Sequence, residues 1–126
     1  MKRIAVIGSR TGFTYDDIIP ELKNIDNEFC FQGLTDWNDY SLISGGAPGI
    51  DTYVHNWNSS LPYPKAFEII RPINTKNKIN YLFRNCEIIA KADAVLVFWD
   101  GKSKGTKFVI DYAKARNKDV RVFMDG

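Results

Sequence analysis

Three short stretches of this sequence carry residue types suited to holding an anion. Gly8-Ser9-Arg10 combines a residue without a Cβ, a hydroxyl and a guanidinium fork that fits phosphate or carboxylate in bidentate fashion. Gly45-Gly46-Ala47-Pro48-Gly49-Ile50-Asp51 offers small residues that let backbone N–H groups and a positive helix end come close to negative charge. Asp100-Gly101-Lys102-Ser103-Lys104-Gly105-Thr106 adds two hydroxyls and two lysines ahead of a helical pattern, donors for a phosphate or a ribose. Each stretch also has a plainer reading. A glycine after a strand is ordinary punctuation, and an acid such as Asp51 in a first helical turn commonly serves only that helix end. Neither glycine loop satisfies a known nucleotide fingerprint. Ser44 stands where a dinucleotide-binding loop needs its first glycine, and Leu96 stands where a P-loop ending at Gly101-Lys102-Ser103 needs one.

These stretches are positioned by alternating apolar runs and helical patterns. Ile4 to Ile7, Tyr40 to Ser44, Ala66 to Ile70, Ala94 to Trp99 and Val120 to Met124 read as five strands. Between them, Ile18-Ile19-Leu22-Ile25, Ile50-Tyr53-Val54-Trp57, Ile79-Leu82-Phe83-Cys86-Ile89-Ala90 and Phe108-Val109-Tyr112-Ala113 recur at helical spacing. Residues 27–39 read as a long loop or small excursion. The strands are continuously apolar rather than alternating, which predicts a parallel α/β sheet covered on both faces. Right-handed crossovers then favour a Rossmann-like three-layer sandwich over residues 1–126, with strand order 3-2-1-4-5. In that layout all three stretches fall on the carboxyl edge of the sheet, and the site lies where strands 1 and 4 part.

Other candidates are weaker. Arg84 and Asn85 are expected on the side of their helix opposite its apolar stripe, where a solvated arginine would sit. His55 has no serine or cysteine partner at a recognisable spacing. Trp37, Trp57 and Trp99 read as packing residues, with Trp99 at the strand edge placed to flank a ring.

Composition narrows the function classes. The 126 residues are 44% hydrophobic and 25% charged, enough for one domain with its own core. One histidine and the separated Cys30 and Cys86 supply no metal site and no disulfide scaffold, so magnesium carried in with phosphates is the one ion expected and no cofactor is required. No run approaches the roughly 20 apolar residues of a membrane helix, and a cytoplasmic setting is expected. The formal charge of +2 conceals halves of opposite sign: residues 1–64 carry four Lys/Arg against eight Asp/Glu, and the remainder is basic. The basic residues are scattered, which weighs against nucleic acid as a partner.

Taken together, Arg3-Ile4-Ala5-Val6-Ile7-Gly8-Ser9-Arg10, the Ser44 to Asp51 loop, Arg84-Asn85 and the run from Val97 to Thr106 resemble the SLOG superfamily of Rossmann-like nucleotide-binding domains, most closely its small YspA-related subgroup of unknown function. The resemblance extends over nearly the whole chain and reaches distantly to DprA, to cytokinin-activating phosphoribohydrolases and to sensors of ADP-ribose derivatives. It implies a ligand-binding set of Gly8, Ser9, Arg10, Gly45, Gly46, Gly49, Asp51, Arg84, Asn85, Asp100, Gly101, Ser103, Gly105 and Thr106, to which the loop reading adds Lys104. Two departures stand out. Pro48 occupies a position that is often basic, and Val109 occupies that of the phosphoribohydrolase glutamate, with Asp111 turned roughly 200° away around the helix. The expected function is therefore binding of a nucleotide or ADP-ribose-like small molecule, as sensor, carrier or sequestering protein, with nucleic-acid binding, by analogy with DprA, as the weakest alternative. Cleavage of a nucleotide N-glycosidic bond is the alternative, no catalytic residue is assigned, and a homo-oligomer is compatible with the size.

Overall fold

Side chains of successive strand residues point to opposite sides of a sheet, so a continuously apolar strand requires cover on both. That requirement organises the computed structural model, which describes residues 2–9, 11–29, 40–46, 49–62, 64–74 and 76–124. The elements are β1 (Lys2–Gly8), α1 (Tyr15–Phe29), β2 (Tyr40–Ser44), α2 (Ile50–Ser60), β3 (Ala66–Ile69), α3 (Lys78–Lys91), β4 (Ala94–Trp99), α4 (Lys104–Ala115) and β5 (Asp119–Met124). All the strand pairs are parallel, in the order β3-β2-β1-β4-β5. This is the order expected from the sequence.

Two cores result, one on each face. Ile4 and Val6 of β1, Leu42 of β2, and Leu96 and Phe98 of β4 pack under Ile18, Leu22 and Ile25 of α1 and Ile50, Val54 and Trp57 of α2. Their neighbours of opposite parity, Ala5, Ile7, Ile43, Val95 and Val97, pack under Ile88 and Ile89 of α3 and Val109, Ile110 and Ala113 of α4. Each buried aliphatic side chain contributes about 1.5–3 kcal/mol relative to exposure, so the central strands, loaded on both faces, hold the sheet together. The winding direction reverses between β1 and β4. Their carboxyl ends stay joined there by the Ser9 N–H, which donates to the Phe98 carbonyl at 2.9 Å.

Two local expectations change. The first helix runs on to Phe29, into the segment expected to be a loop, and residues 30–39, Trp37 among them, lie outside the described residues. Only part of the apolar stripe of α3 faces the core. Ile79 and Phe83 are 47% and 60% exposed, while Ile88 and Ile89 are fully buried. The helix is rotated so that Tyr81, Arg84, Asn85 and Ile88 turn inward, and this rotation decides what the sheet edge is lined with.

Candidate functional site

The fork between β1 and β4 opens into a cleft of about 310 Å³. Gly8, Ser9 and Thr11 line it from the first turn, Gly45 and Asp51 from the second, and Asp100, Ser103, Gly105 and Thr106 from the third. Tyr81, Arg84 and Asn85 close it from α3, and Ile7, Ile88 and Val109 form its apolar floor.

The third turn is built from its own side chains. Gly101 has φ +82°, a conformation that favours glycine, and it folds the backbone back so that the Lys102 and Ser103 N–H groups both reach the Asp100 carboxylate at 2.8 Å. These bonds, that from Ser103 first, hold the Asp100 carboxyl below the usual carboxylate range. The group is thus an ionised turn brace rather than an acid for proton transfer. Ser103 then caps α4, its Oγ accepting from the Thr106 N–H at 3.4 Å and from the Thr106 hydroxyl at 3.1 Å. The Trp99 indole N–H donates to the Ser103 carbonyl at 3.0 Å, so Trp99 braces the loop. Lys104 and Gly105 follow the cap, and the helix itself offers no acceptor to their N–H groups.

Buried Ser9 ties this turn to β1. Its Oγ accepts from the Asp100 N–H at 3.2 Å and lies 3.4 Å from the Thr106 hydroxyl, so the ends of β1, β4 and α4 share one hydroxyl chain beneath the cleft. On the far wall, Arg84 donates from Nη1 to the Gly45 carbonyl at 2.9 Å and from Nε to Asn85 Oδ1 at 2.8 Å, with its guanidinium 5.5 Å from the Tyr81 ring centre. The solvated arginine of the sequence reading is therefore corrected, because the rotation of α3 carries Arg84 over the β2 turn.

The glycines play unequal roles. A Cβ on Gly8 would stand 2.3 Å from Ile50 Cγ1, and one on Gly45 2.3 Å from Arg84 Nη1. Packing demands the first of these glycines, because Ile50 is fixed in the core, whereas at Gly45 the neighbour is the far end of a flexible arginine. A Cβ on Gly105 would meet nothing within 4 Å.

Not every expected residue joins the cleft. Gly46 lines a separate hollow with Phe67, Ile69 and Arg71. Gly49 precedes α2 with no side-chain cap, Gly101 shapes its turn from outside, and Lys104 faces the groove between α3 and α4. Arg10, Ala47 and Pro48 lie outside the described residues. Thr11 and Tyr81 are the polar lining residues that sequence reasoning missed. Tyr81 was accessible as the residue one helical turn before Arg84. Among the described residues no helix is long and apolar enough to cross a membrane, and no group of three or more His, Cys, Asp or Glu comes together.

The charge halves of the sequence become two faces. In α1 and α2, Asp16, Asp17, Glu21, Asp26, Glu28 and Asp51 stand against Lys23. In α3 and α4, Lys78, Arg84, Lys91, Lys104, Lys107 and Lys114 stand against Glu87 and Asp111. Because the double winding sends the first two helices to one side and the last two to the other, lysines scattered along the chain gather on one face.

No protein-family model matches the chain, and no curated protein matches it. Among solved structures the chain is similar to DNA processing protein A from Helicobacter pylori, described for its single-stranded DNA binding mode, at 19% identity and a TM-score of 0.69. The match covers 96% of this chain and 64% of that one, so the present sequence spans less than two thirds of its structural neighbour. The expectation that sets nucleic acid aside as a partner is overturned: the same arrangement of strands and helices occurs in a protein that binds single-stranded DNA, and the basic residues whose scatter motivated that expectation are gathered by the fold. At this identity the likeness shows the fold, an α/β Rossmann-like sandwich shared with DNA processing protein A.

Proposed function

We propose that the cleft binds the phosphate and sugar of a nucleotide-type ligand, as expected of a SLOG-like domain, and that the chain holds this ligand without cleaving it. The observation that carries the reading is Gly105. Glycine in a helix costs roughly 1 kcal/mol relative to alanine. Yet the space around Gly105 is open, and its φ is not among the positive ones. Folding gives no reason for a glycine there. A ligand drawn close to the backbone N–H groups of the first turn of α4 does. Ser9 and Thr106 hydroxyls beneath, Arg84 opposite and Arg10 directly after Ser9 in the sequence complete the donor set, with magnesium able to accompany the phosphates. By the resemblance, Val109, wholly buried in the floor, occupies the position of the phosphoribohydrolase glutamate, and Asp100 is committed to its own turn.

A second reading takes the nucleotide as one unit of a single-stranded DNA. The similarity to DNA processing protein A supports it, as does the basic α3/α4 face.

Calorimetric titration with AMP and ADP-ribose tests the first reading, with chromatography of the incubated ligand to detect cleavage. A charge-assisted hydrogen bond is worth about 1.5–3 kcal/mol, so Arg10→Ala is expected to weaken binding roughly tenfold to a hundredfold. Gly105→Val is expected to do at least as much with little change in melting temperature. Unchanged affinity in both variants removes the ligand from this cleft, and ligand breakdown replaces binding by catalysis.

A further inference from the structure

Beside the cleft, across the lip formed by Ser103 and Gly105, lies a larger groove of about 810 Å³ between the amino-terminal halves of α3 and α4. We propose that this groove carries the continuation of a single-stranded nucleic acid whose first nucleotide occupies the cleft. The proposal rests on the cleft reading only for where the strand begins.

Three features of the groove converge on that chemistry. Lys76, Lys78 and Lys104 line it, with no acidic residue among its lining residues. Tyr81 and Phe108 stand among these lysines, and Phe108 is 38% exposed and stacked on Tyr112 with ring centres 5.8 Å apart. Cationic side chains interleaved with accessible rings are what a strand of unpaired bases requires, phosphates meeting the lysines and bases lying on the rings. Finally, Tyr81, Asn85, Ser103 and Gly105 line both the groove and the cleft. A ligand leaving the cleft over Gly105 enters the groove at once, and a polynucleotide is the nucleotide-type ligand that repeats its phosphate at each step.

The alternative occupant is a second copy of the chain, since Ile79 and Phe83 are also exposed on α3. A two-fold contact through this face would set the basic helices of both copies against each other, and like charges directly opposed disfavour it. A duplex fits less well, because its bases stay stacked and out of reach of Phe108.

Fluorescence anisotropy with a labelled oligothymidylate of about twelve nucleotides tests the groove, and calorimetry with AMP tests the cleft separately. The double variant Lys76→Glu/Lys78→Glu changes exposed residues outside the cleft lining. It is expected to weaken oligothymidylate binding more than tenfold. It should also flatten the dependence of log affinity on log salt by about 1.4, at roughly 0.7 per lost phosphate contact, while AMP binding stays as in the wild type. Phe108→Ala should cost about tenfold for the oligonucleotide alone. The matched reversal Lys2→Glu/Lys23→Glu, away from the groove, should change affinity less than about twofold. The proposal is overturned if the groove variant binds oligothymidylate as the wild type does, or if the matched reversal weakens it equally. Wild-type binding of AMP without oligothymidylate removes the groove and leaves the cleft, whereas lysine-dependent oligothymidylate binding without AMP upholds the groove and removes the cleft reading. A dimer in sedimentation that Phe83→Asp dissolves, with no oligonucleotide bound, gives the face to a second copy instead.

Discussion

Gly8 and Gly105 line the same cleft and are glycines for opposite reasons. Behind Gly8 stands Ile50, the first residue of α2 and 2% exposed, so close that the strand end and the helix touch backbone to side chain. In front of Gly105 there is only the cleft. The first turn is spent on joining β1 to α2, whereas the third turn braces itself through Asp100, Ser103 and Thr106 and leaves its helix end facing outward. Two turns that look alike as sequence thus divide the labour between stability and binding.

The sharpest way to break this contrast is Gly8→Val. Its side chain would overlap Ile50, and overpacking of this kind costs about 1–3 kcal/mol or more. For a chain of this size a melting temperature lower by roughly 5–15 °C is expected by calorimetry, and a drop of less than a degree or two would show that α2 moves aside freely. Ser9→Ala comes next. It leaves the part-buried Asp100 N–H without its acceptor and removes one of the two partners of the Thr106 hydroxyl, at about 1–2 kcal/mol in a denaturant titration. If Ser9→Ala instead unfolds as the wild type does, the hydroxyl chain is incidental to the joint between the turns.

Gly105→Ala should move stability the other way. Alanine is the better helix residue by up to about 1 kcal/mol, and its Cβ enters open space, so the melting temperature should rise by a few degrees while affinity for a nucleotide ligand falls. A variant that is more stable and binds equally well would sharpen the comparison by removing Gly105 from binding. The smallest effect belongs to acid. The Asp100 carboxyl is held below its ordinary value in the folded state, so its contribution is present above the unfolded carboxylate range and is lost as pH falls through the folded value. An NMR titration of the Lys102 and Ser103 amide signals should therefore show them shifting together at a pH below the normal aspartate midpoint, and a midpoint at or above it would free Asp100 from the turn.

Much of this architecture was legible before folding. Five apolar runs, four helical patterns and the handedness of crossovers fix a parallel order with few alternatives, and that order alone brings Gly8, Gly45 and Gly105 to one edge. Local chemistry was legible only as a supply of donors: the stretch from Asp100 to Thr106 read as groups for a phosphate or ribose, whereas Asp100 bracing its own turn and Ser103 capping α4 emerged only from the fold.

Periodicity reports that a helix has an apolar stripe, not that anything covers it. The stripe of α3 runs from Ile79 and Phe83 to Ile89, and the sheet covers only its later part, Ile89 together with Ile88. That choice swung Tyr81, Arg84 and Asn85 into the cleft. The reason for Gly8 lies in Ile50, far along the chain, and the gathering of scattered lysines onto one face follows from which side of the sheet each crossover takes. Sequence determines which groups are available and in what order the elements must wind. Which of them meet is decided by packing, because contact between residues distant in the chain depends on the rotation and separation of whole elements, and no local pattern encodes either.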